Sequence, residues 1–148
     1  MEARIAYRKV APGIPEALDA IDRYVHACGL EAPILEIVKL RASQINGCAR
    51  CMQAHAQAAR KAGVTQSRLD LLPGWRESPG FSDRERAALA WCEAVTLLTF
   101  GHVPDAQFEE ARRHFSEKEL ADLTLAVAGI NAWNRMNVAL RALPEPSG

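Results

Sequence analysis

Two cysteines and a histidine stand at i, i+3 and i+7 in the stretch Cys48-Ala49-Arg50-Cys51-Met52-Gln53-Ala54-His55. On a helix that spacing puts the three side chains on one face. The stretch follows Asn46-Gly47, two residues that tolerate the left-handed conformation and stop a helix. The cysteines are therefore expected at the start of a new helix, where free N–H groups and the macrodipole favour an anion. A thiolate is such an anion, and Arg50 adds positive charge between the two sulfurs as a candidate thiolate stabiliser. Both effects lower a thiol pKa, and the thiolate is the reactive form. Two thiols in the first turn can also close a disulfide without refolding the chain. The segment has the parts of a reversible dithiol switch.

His55 lies one turn beyond Cys51, where an imidazole can accept a thiol proton directly or through a water. Its basicity calls for a partner, and Glu36 is the candidate. That carboxylate sits twelve residues before Cys48 on mostly apolar ground, where it is costly unless paired. Two pairings are open: His55 across an antiparallel helix pair, or Lys39 at i+3 on the same helix. Two Cys, a His and a carboxylate could also complete a zinc tetrahedron. Only one C-x-x-C exists and no second ligand pair follows, so redox chemistry is preferred, with no metal and no cofactor expected. At a helix start the first cysteine often has the lower pKa, which favours Cys48 as the attacking group on disulfides.

The elements that must hold these residues are helical throughout. Apolar residues recur at helical periods, and no apolar–polar alternation is long enough for a strand. A first helix is expected over residues 15–28, opened by Pro15 and closed by Gly29. A second spans 33–45, and a third runs from about 48 to 62 with Gly63 as its stop. Thr65 caps a short helix that ends before Pro73. Residues 73–81 hold two Pro and two Gly and read as a loop, with Trp75 pinning it to the body. Two capping boxes, Ser82-x-x-Glu85 and Ser116-x-x-Glu119, open the helices that follow. The first of these passes through Leu98 to Gly101. A further helix runs from Pro104 to His114, and the last from Glu117 to about Arg141. Because residues 120–133 are apolar on most sides, the last helix should be central or at a subunit interface. The fold class is all-α, about seven helices. It divides into an N-terminal arm over 1–14, one helical domain over 15–142 and a frayed tail over 143–148.

Cys28 and Cys92 read as small core residues. His26, His102 and His114 show no partner in sequence. Asn131 and Asn134 suit interhelical hydrogen bonds, and Trp91 and Trp133 suit packing.

Composition narrows the function classes. The chain has 148 residues, 49% of them hydrophobic, with 18 acidic and 18 basic residues. That is an ordinary globular balance for one domain. It lacks the basic stripe of a nucleic-acid binder, so no nucleic-acid partner is expected. No run of 18 apolar residues suggests a membrane span, and the first ten residues lack the apolar core of a signal peptide. A cytoplasmic protein is expected, in which a C-x-x-C reads as redox or metal chemistry rather than as a structural bridge.

Glu36, the Asn46-Gly47 stop, Cys48-x-x-Cys51 and His55 in this register resemble the core motif of the AhpD-like alkylhydroperoxidases, within the carboxymuconolactone decarboxylase superfamily. The stretch Ile130-Asn131-Ala132-Trp133-Asn134-Arg135 resembles the last helix of that family. The similarity covers about residues 15–142. The resemblance implies an AhpD-like helical domain that forms homo-oligomers, trimers or hexamers, and a peroxide-reducing dithiol in antioxidant defence. Carried over by position, Cys51 would attack the hydroperoxide and Cys48 would resolve the sulfenic acid as a disulfide. Glu36 and His55 would relay the proton, and an external dithiol or protein reductant would reopen the disulfide. Some members carry a second His just before the second Cys. Arg50 stands there and cannot accept a proton, so a shorter relay is expected. Two alternatives stand beside this reading. One is the decarboxylase or lactone chemistry of the superfamily, which has no evident need for two thiols. The other is a redox-sensing oligomer without turnover.

Overall fold

The computed structural model describes residues 1–146. The described residues form α-helices and short 3-10 turns with no strand. In chain order they are α1 (Tyr7–Val10), α2 (Gly13–Ala27), α3 (Ala32–Asn46), α4 (Ala49–Lys61), α5 (Gln66–Asp70), a 3-10 turn Leu72–Glu77, α6 (Asp83–Thr96), a 3-10 turn Leu98–Phe100, α7 (Asp105–His114) and α8 (Glu117–Ala139).

Helix α3 is the hub and packs against α4, α6 and α8. Its sequence explains that place, because Ile34, Leu35, Ile37, Val38, Leu40 and Ala42 leave hardly a polar side and all are buried. One core lies between α2, α3, α6 and α8, around Val25, Val38, Leu123, Val127 and Ile130. A second core, around Ile37, Leu40, Ala59, Leu72, Trp75 and Leu89, fills the other side of α3. Both capping boxes form, with Ser82 and Glu85 opening α6 and Ser116 and Glu119 opening α8. Thr65 caps α5 through the N–H of Arg68. The last helix is central, with Leu120, Leu123, Ala126, Val127, Ile130 and Trp133 buried.

Three segments depart from the sequence reading. Residues 72–77, expected mostly as loop, wind into a 3-10 turn because Leu72 and Trp75 are buried. The Trp75 indole donates to Glu93 Oε1 at 2.9 Å, so burial of two large side chains overrides the Pro and Gly signals. Helix α6 stops at Thr96, and Leu98–Phe100 follows as a separate tight turn. The tail is not frayed over residues 143–145. There the Arg50 guanidinium donates to Leu143 O at 2.7 Å and to Glu145 Oε1 at 2.6 Å. Gln53 and Glu145 exchange two more hydrogen bonds, at 2.9 and 2.8 Å. Residues 147–148 of the expected tail lie outside the described residues. The N-terminal arm is likewise tied down: Tyr7 is buried, and Arg4 N–H donates to Leu140 O at 3.0 Å.

Candidate active site

The turn between α3 and α4 sets the position of the first cysteine. Gly47 adopts φ 67°, the left-handed region that closes a helix. Its N–H donates to Gln44 O at 3.2 Å, and the Cys48 N–H reaches back to Ser43 O at 3.0 Å. This is a Schellman closure, and it places Cys48 just beyond α3. Cys48 then serves as the N-cap of α4, and its sulfur accepts the N–H of Cys51 at 3.3 Å. The expectation of a helix starting on Cys48 is off by one residue, with the first sulfur in the capping position and the second in the first turn.

The two sulfurs are joined as the Cys48–Cys51 disulfide, with Cα atoms 5.3 Å apart. Both cysteines are buried, Cys48 at 2% and Cys51 at 4% exposure. The side-chain amide of Asn137, on α8, donates to Cys51 Sγ at 3.3 Å. Asn137 is itself fixed by the Tyr7 hydroxyl, which donates to its Oδ1 at 2.8 Å. Each sulfur thus accepts one N–H donor, Cys48 from the backbone and Cys51 from a side chain.

Glu36 and His55 do meet. His55 Nδ1 lies 2.8 Å from Glu36 Oε2. A carboxylate only accepts, so Nδ1 carries the proton, and in the neutral imidazole Nε2 holds the lone pair. That is the tautomer a general base needs. Burial acts to raise the Glu36 pKa, but hydrogen bonds and charge from His55, the Lys39 charge and the His26 hydrogen bond outweigh it and hold the carboxyl below its ordinary value.

Lys39 is not the direct partner of Glu36. Its ammonium, fully buried, pairs with Asp22 Oδ1 at 3.0 Å. The second oxygen of Asp22 accepts the Trp133 indole N–H at 2.8 Å. His26, which shows no partner in sequence, faces the other oxygen of Glu36 at 3.2 Å through Nε2. Its Nδ1 lies 2.8 Å from Asp22 O, one turn earlier on α2. Residues from α2, α3, α4 and α8 therefore converge on one polar cluster, and three of them, Asp22, His55 and Trp133, share a cavity wall with Cys51. Asp22, His26, Asn137 and Tyr7 were missed by sequence reasoning, and Trp133 does more than pack. The i, i+4 spacing of Asp22 and His26 was the one local signal available for any of them.

A cavity of about 190 Å³ opens beside Cys51. Cys51, His55, Ala54, Ile130 and Trp133 form its walls, and Arg8, Asp22, Arg50 and Asn137 complete it. Cys48 lines a different depression, walled by Arg4, Asn137 and the tail from Ala142 to Pro144. The two cysteines thus contribute to the walls of different depressions. Arg50 contributes to the Cys51 cavity, but its charge is shared with Glu145 of the tail.

Asn46 donates to both Asn131 Oδ1 and Asn134 Oδ1, at 3.0 and 2.9 Å, which ties the end of α3 to α8. Cys92 is fully buried, and burial pushes its thiol up to about 12. Cys28 is half-buried at the edge of the core. Trp91 packs near Phe108 and donates to Thr124 Oγ1 at 3.0 Å. Among the described residues, no group of three or more His, Cys, Asp or Glu is arranged to hold a metal ion. No helix among them is long and apolar enough to cross a membrane.

Comparison with known proteins agrees with this architecture. Residues 12–94 match the model of the carboxymuconolactone decarboxylase family. The uncharacterized protein YdfG of Bacillus subtilis (strain 168) is 35% identical over 140 residues, which cover 95% of each chain. The crystal structure of ATU0492 from Agrobacterium tumefaciens, a protein of unknown function suggested to be the antioxidant defence protein AhpD, superposes with a TM-score of 0.95. The two are 40% identical, over 99% of this chain and 100% of that one. The AhpD core of a peroxidase-related protein from Ralstonia eutropha JMP134 shares the fold, with a TM-score of 0.82 at 23% identity over 93% of this chain and 74% of that one. An all-helical chain with this motif, this match and these relatives belongs to the carboxymuconolactone decarboxylase family, in its AhpD-like group.

Proposed function

We propose that this protein is a cysteine-dependent peroxidase that reduces organic hydroperoxides with the Cys48–Cys51 pair and serves in antioxidant defence. The observation that carries the proposal is the disulfide-forming pair whose Cys51 side shares a cavity with a carboxylate-backed imidazole. The names of the relatives in antioxidant defence and peroxidase-related proteins support the same class. A decarboxylase or lactone-processing site would leave the paired sulfurs without a task.

In the reduced protein His55 Nε2 takes the Cys51 proton, and the Glu36 carboxylate stabilises the resulting imidazolium. The Asn137 amide and the N-terminus of α4 stabilise the thiolate, with Arg50 adding charge at the rim. Cys51 sulfur attacks the terminal peroxide oxygen, the O–O bond breaks, and the alkoxide takes the proton from His55 and leaves as the alcohol. Cys51 becomes a sulfenic acid. The Cys48 thiolate then attacks Cys51 sulfur, and the hydroxyl leaves with the Cys48 proton as water. The balance is one hydroperoxide and one dithiol to one alcohol, one water and one disulfide. A dithiol or protein reductant restores the thiols by exchange. The shared lining of Cys51 and His55 and the placing of Cys48 in the other depression favour Cys51 for the peroxide. They leave Cys48 to resolve and to meet the reductant.

The test is peroxide consumption with dithiothreitol by Cys48→Ser and Cys51→Ser variants. Loss of turnover in both supports the proposal, and a sulfenic acid trapped on Cys51 in Cys48→Ser assigns the attacking sulfur. Full activity in both variants would end it. A redox sensor without turnover would form the disulfide with peroxide yet fail to cycle with excess reductant.

A further inference from the structure

We infer that the preferred substrates are small hydroperoxides carrying a carboxylate, and that Arg8 is the residue that selects them. The inference rests on the peroxidase reading above and names the substrate class of that same cavity.

The cavity beside Cys51 is compact, about 190 Å³, below the range of clefts that take large ligands. Ala54, Ile130 and Trp133 give it an apolar wall, and Cys51 and His55 give it a reactive end. Three charged side chains complete the lining: Asp22, Arg50 and Arg8. Two of the three are already compensated. Asp22 accepts from Lys39 and Trp133. Arg50 is held by Glu145. Arg8 has no carboxylate partner among the described residues. Its guanidinium instead lies over the Trp133 ring, 4.9 Å from the centroid, with the Tyr7 ring 5.6 Å away. Its place over two rings holds a planar cation at the edge of the cavity.

A guanidinium in that state is an anchor for a carboxylate, which it can bind through two parallel hydrogen bonds. Arg50, on the same cavity wall, binds a carboxylate of the chain's own tail through a single hydrogen bond to Glu145 Oε1. A substrate with an apolar body against Ile130 and Trp133 would thus place its carboxylate on Arg8 and its peroxide oxygen at Cys51. The carboxylate takes no part in the redox step. The hydroperoxide remains the oxidant and the dithiol the reductant.

The probes are cumene hydroperoxide and its para-carboxylate derivative, assayed on the reduced protein with dithiothreitol. The expected result is a lower KM for the carboxylated substrate. Arg8→Gln should raise that KM about two- to fivefold relative to the KM for cumene hydroperoxide, as loss of an exposed ion pair would. Arg8→Lys should keep part of the preference, and added NaCl should weaken it in the natural protein. Equal KM values for the two substrates, or a preference that survives Arg8→Gln, would overturn the inference. Should neither substrate turn over, the peroxidase reading fails, and binding decides the inference by itself. The unreactive 4-isopropylbenzoate should then shift the NMR signals of Trp133 in the natural protein and not in Arg8→Gln. No shift in the natural protein would overturn it.

Discussion

Asn137 reaches from α8 to donate its side-chain amide to the sulfur of Cys51 at 3.3 Å, across 86 residues of sequence. The contact makes the last helix part of the dithiol's electrostatics. It also links the sulfur to the N-terminal arm, because the Tyr7 hydroxyl holds the other end of the same amide.

Replacing that amide by a carboxylate should therefore disfavour the thiolate. Asn137→Asp keeps an acceptor for Tyr7 but sets a negative charge against Cys51. The apparent pKa of the Cys51 thiol should rise by on the order of one unit relative to the unmodified protein. The pH profile of iodoacetamide alkylation, read on Cys51 by peptide mapping, checks this. An unchanged profile would mean that the amide orients the sulfur without stabilising its charge.

Glu36 gives a stability signature with a definite sign. Burial works to raise its pKa, and His55, Lys39 and His26 together hold it below the ordinary value. The unfolded chain therefore binds a proton at a higher pH than the folded one. The stabilisation from this group is fully present above the unfolded value of about 4.3 and is lost as pH falls through the folded value. The stability difference between the natural protein and Glu36→Gln should shrink once pH drops below about 4.3. Urea unfolding of both proteins over a pH series measures it. Peroxide turnover of Glu36→Gln should also fall by about ten- to a hundredfold, the scale of a weakened general base.

The Schellman turn should be as important to the chemistry as to the fold. Gly47→Ala puts a Cβ on a residue with φ 67° and should cost about 1–2 kcal/mol. No neighbouring atom would be met by the added Cβ, so the cost is conformational rather than steric. Denaturant unfolding reads the loss, and Gly47→Asn should recover part of it because Asn tolerates this region.

Much of this site was legible in local spacing. Cys48, Cys51 and His55 sit within two turns of one helix, and Glu36 is brought back by a single reversal at Gly47. Periodicity and one stop signal suffice to relate them. His26, Asp22, Asn137 and Tyr7 are different, since each arrives on a helix that crosses the site by tertiary packing. Nothing local marks Asn137 as a sulfur ligand rather than another polar residue on a long helix. The 72–77 segment carries the opposite lesson. Its Pro and Gly signal irregular chain, while the burial of Leu72 and Trp75 decides the conformation. In the tail, four hydrogen bonds linking Leu143 and Glu145 to Arg50 and Gln53 order a segment that reads as loose.

That tail covers the Cys48 side of the disulfide and should limit access to it. Glu145→Ala removes the ion pair with Arg50. An exposed pair of this kind is worth up to about 1 kcal/mol, so the open population should rise by at most about fivefold. Stopped-flow reduction of the disulfide by dithiothreitol should quicken by a similar factor. An unchanged rate would place the reductant's approach elsewhere.

The most direct test of the central claim is a titration of the fully reduced protein with a limiting organic hydroperoxide, followed by peptide mapping of all four cysteines. The account predicts that one Cys48–Cys51 disulfide forms for each peroxide consumed, with Cys28 and Cys92 still free thiols. Peroxide left unconsumed, or consumed with Cys48 and Cys51 still reduced, would contradict it.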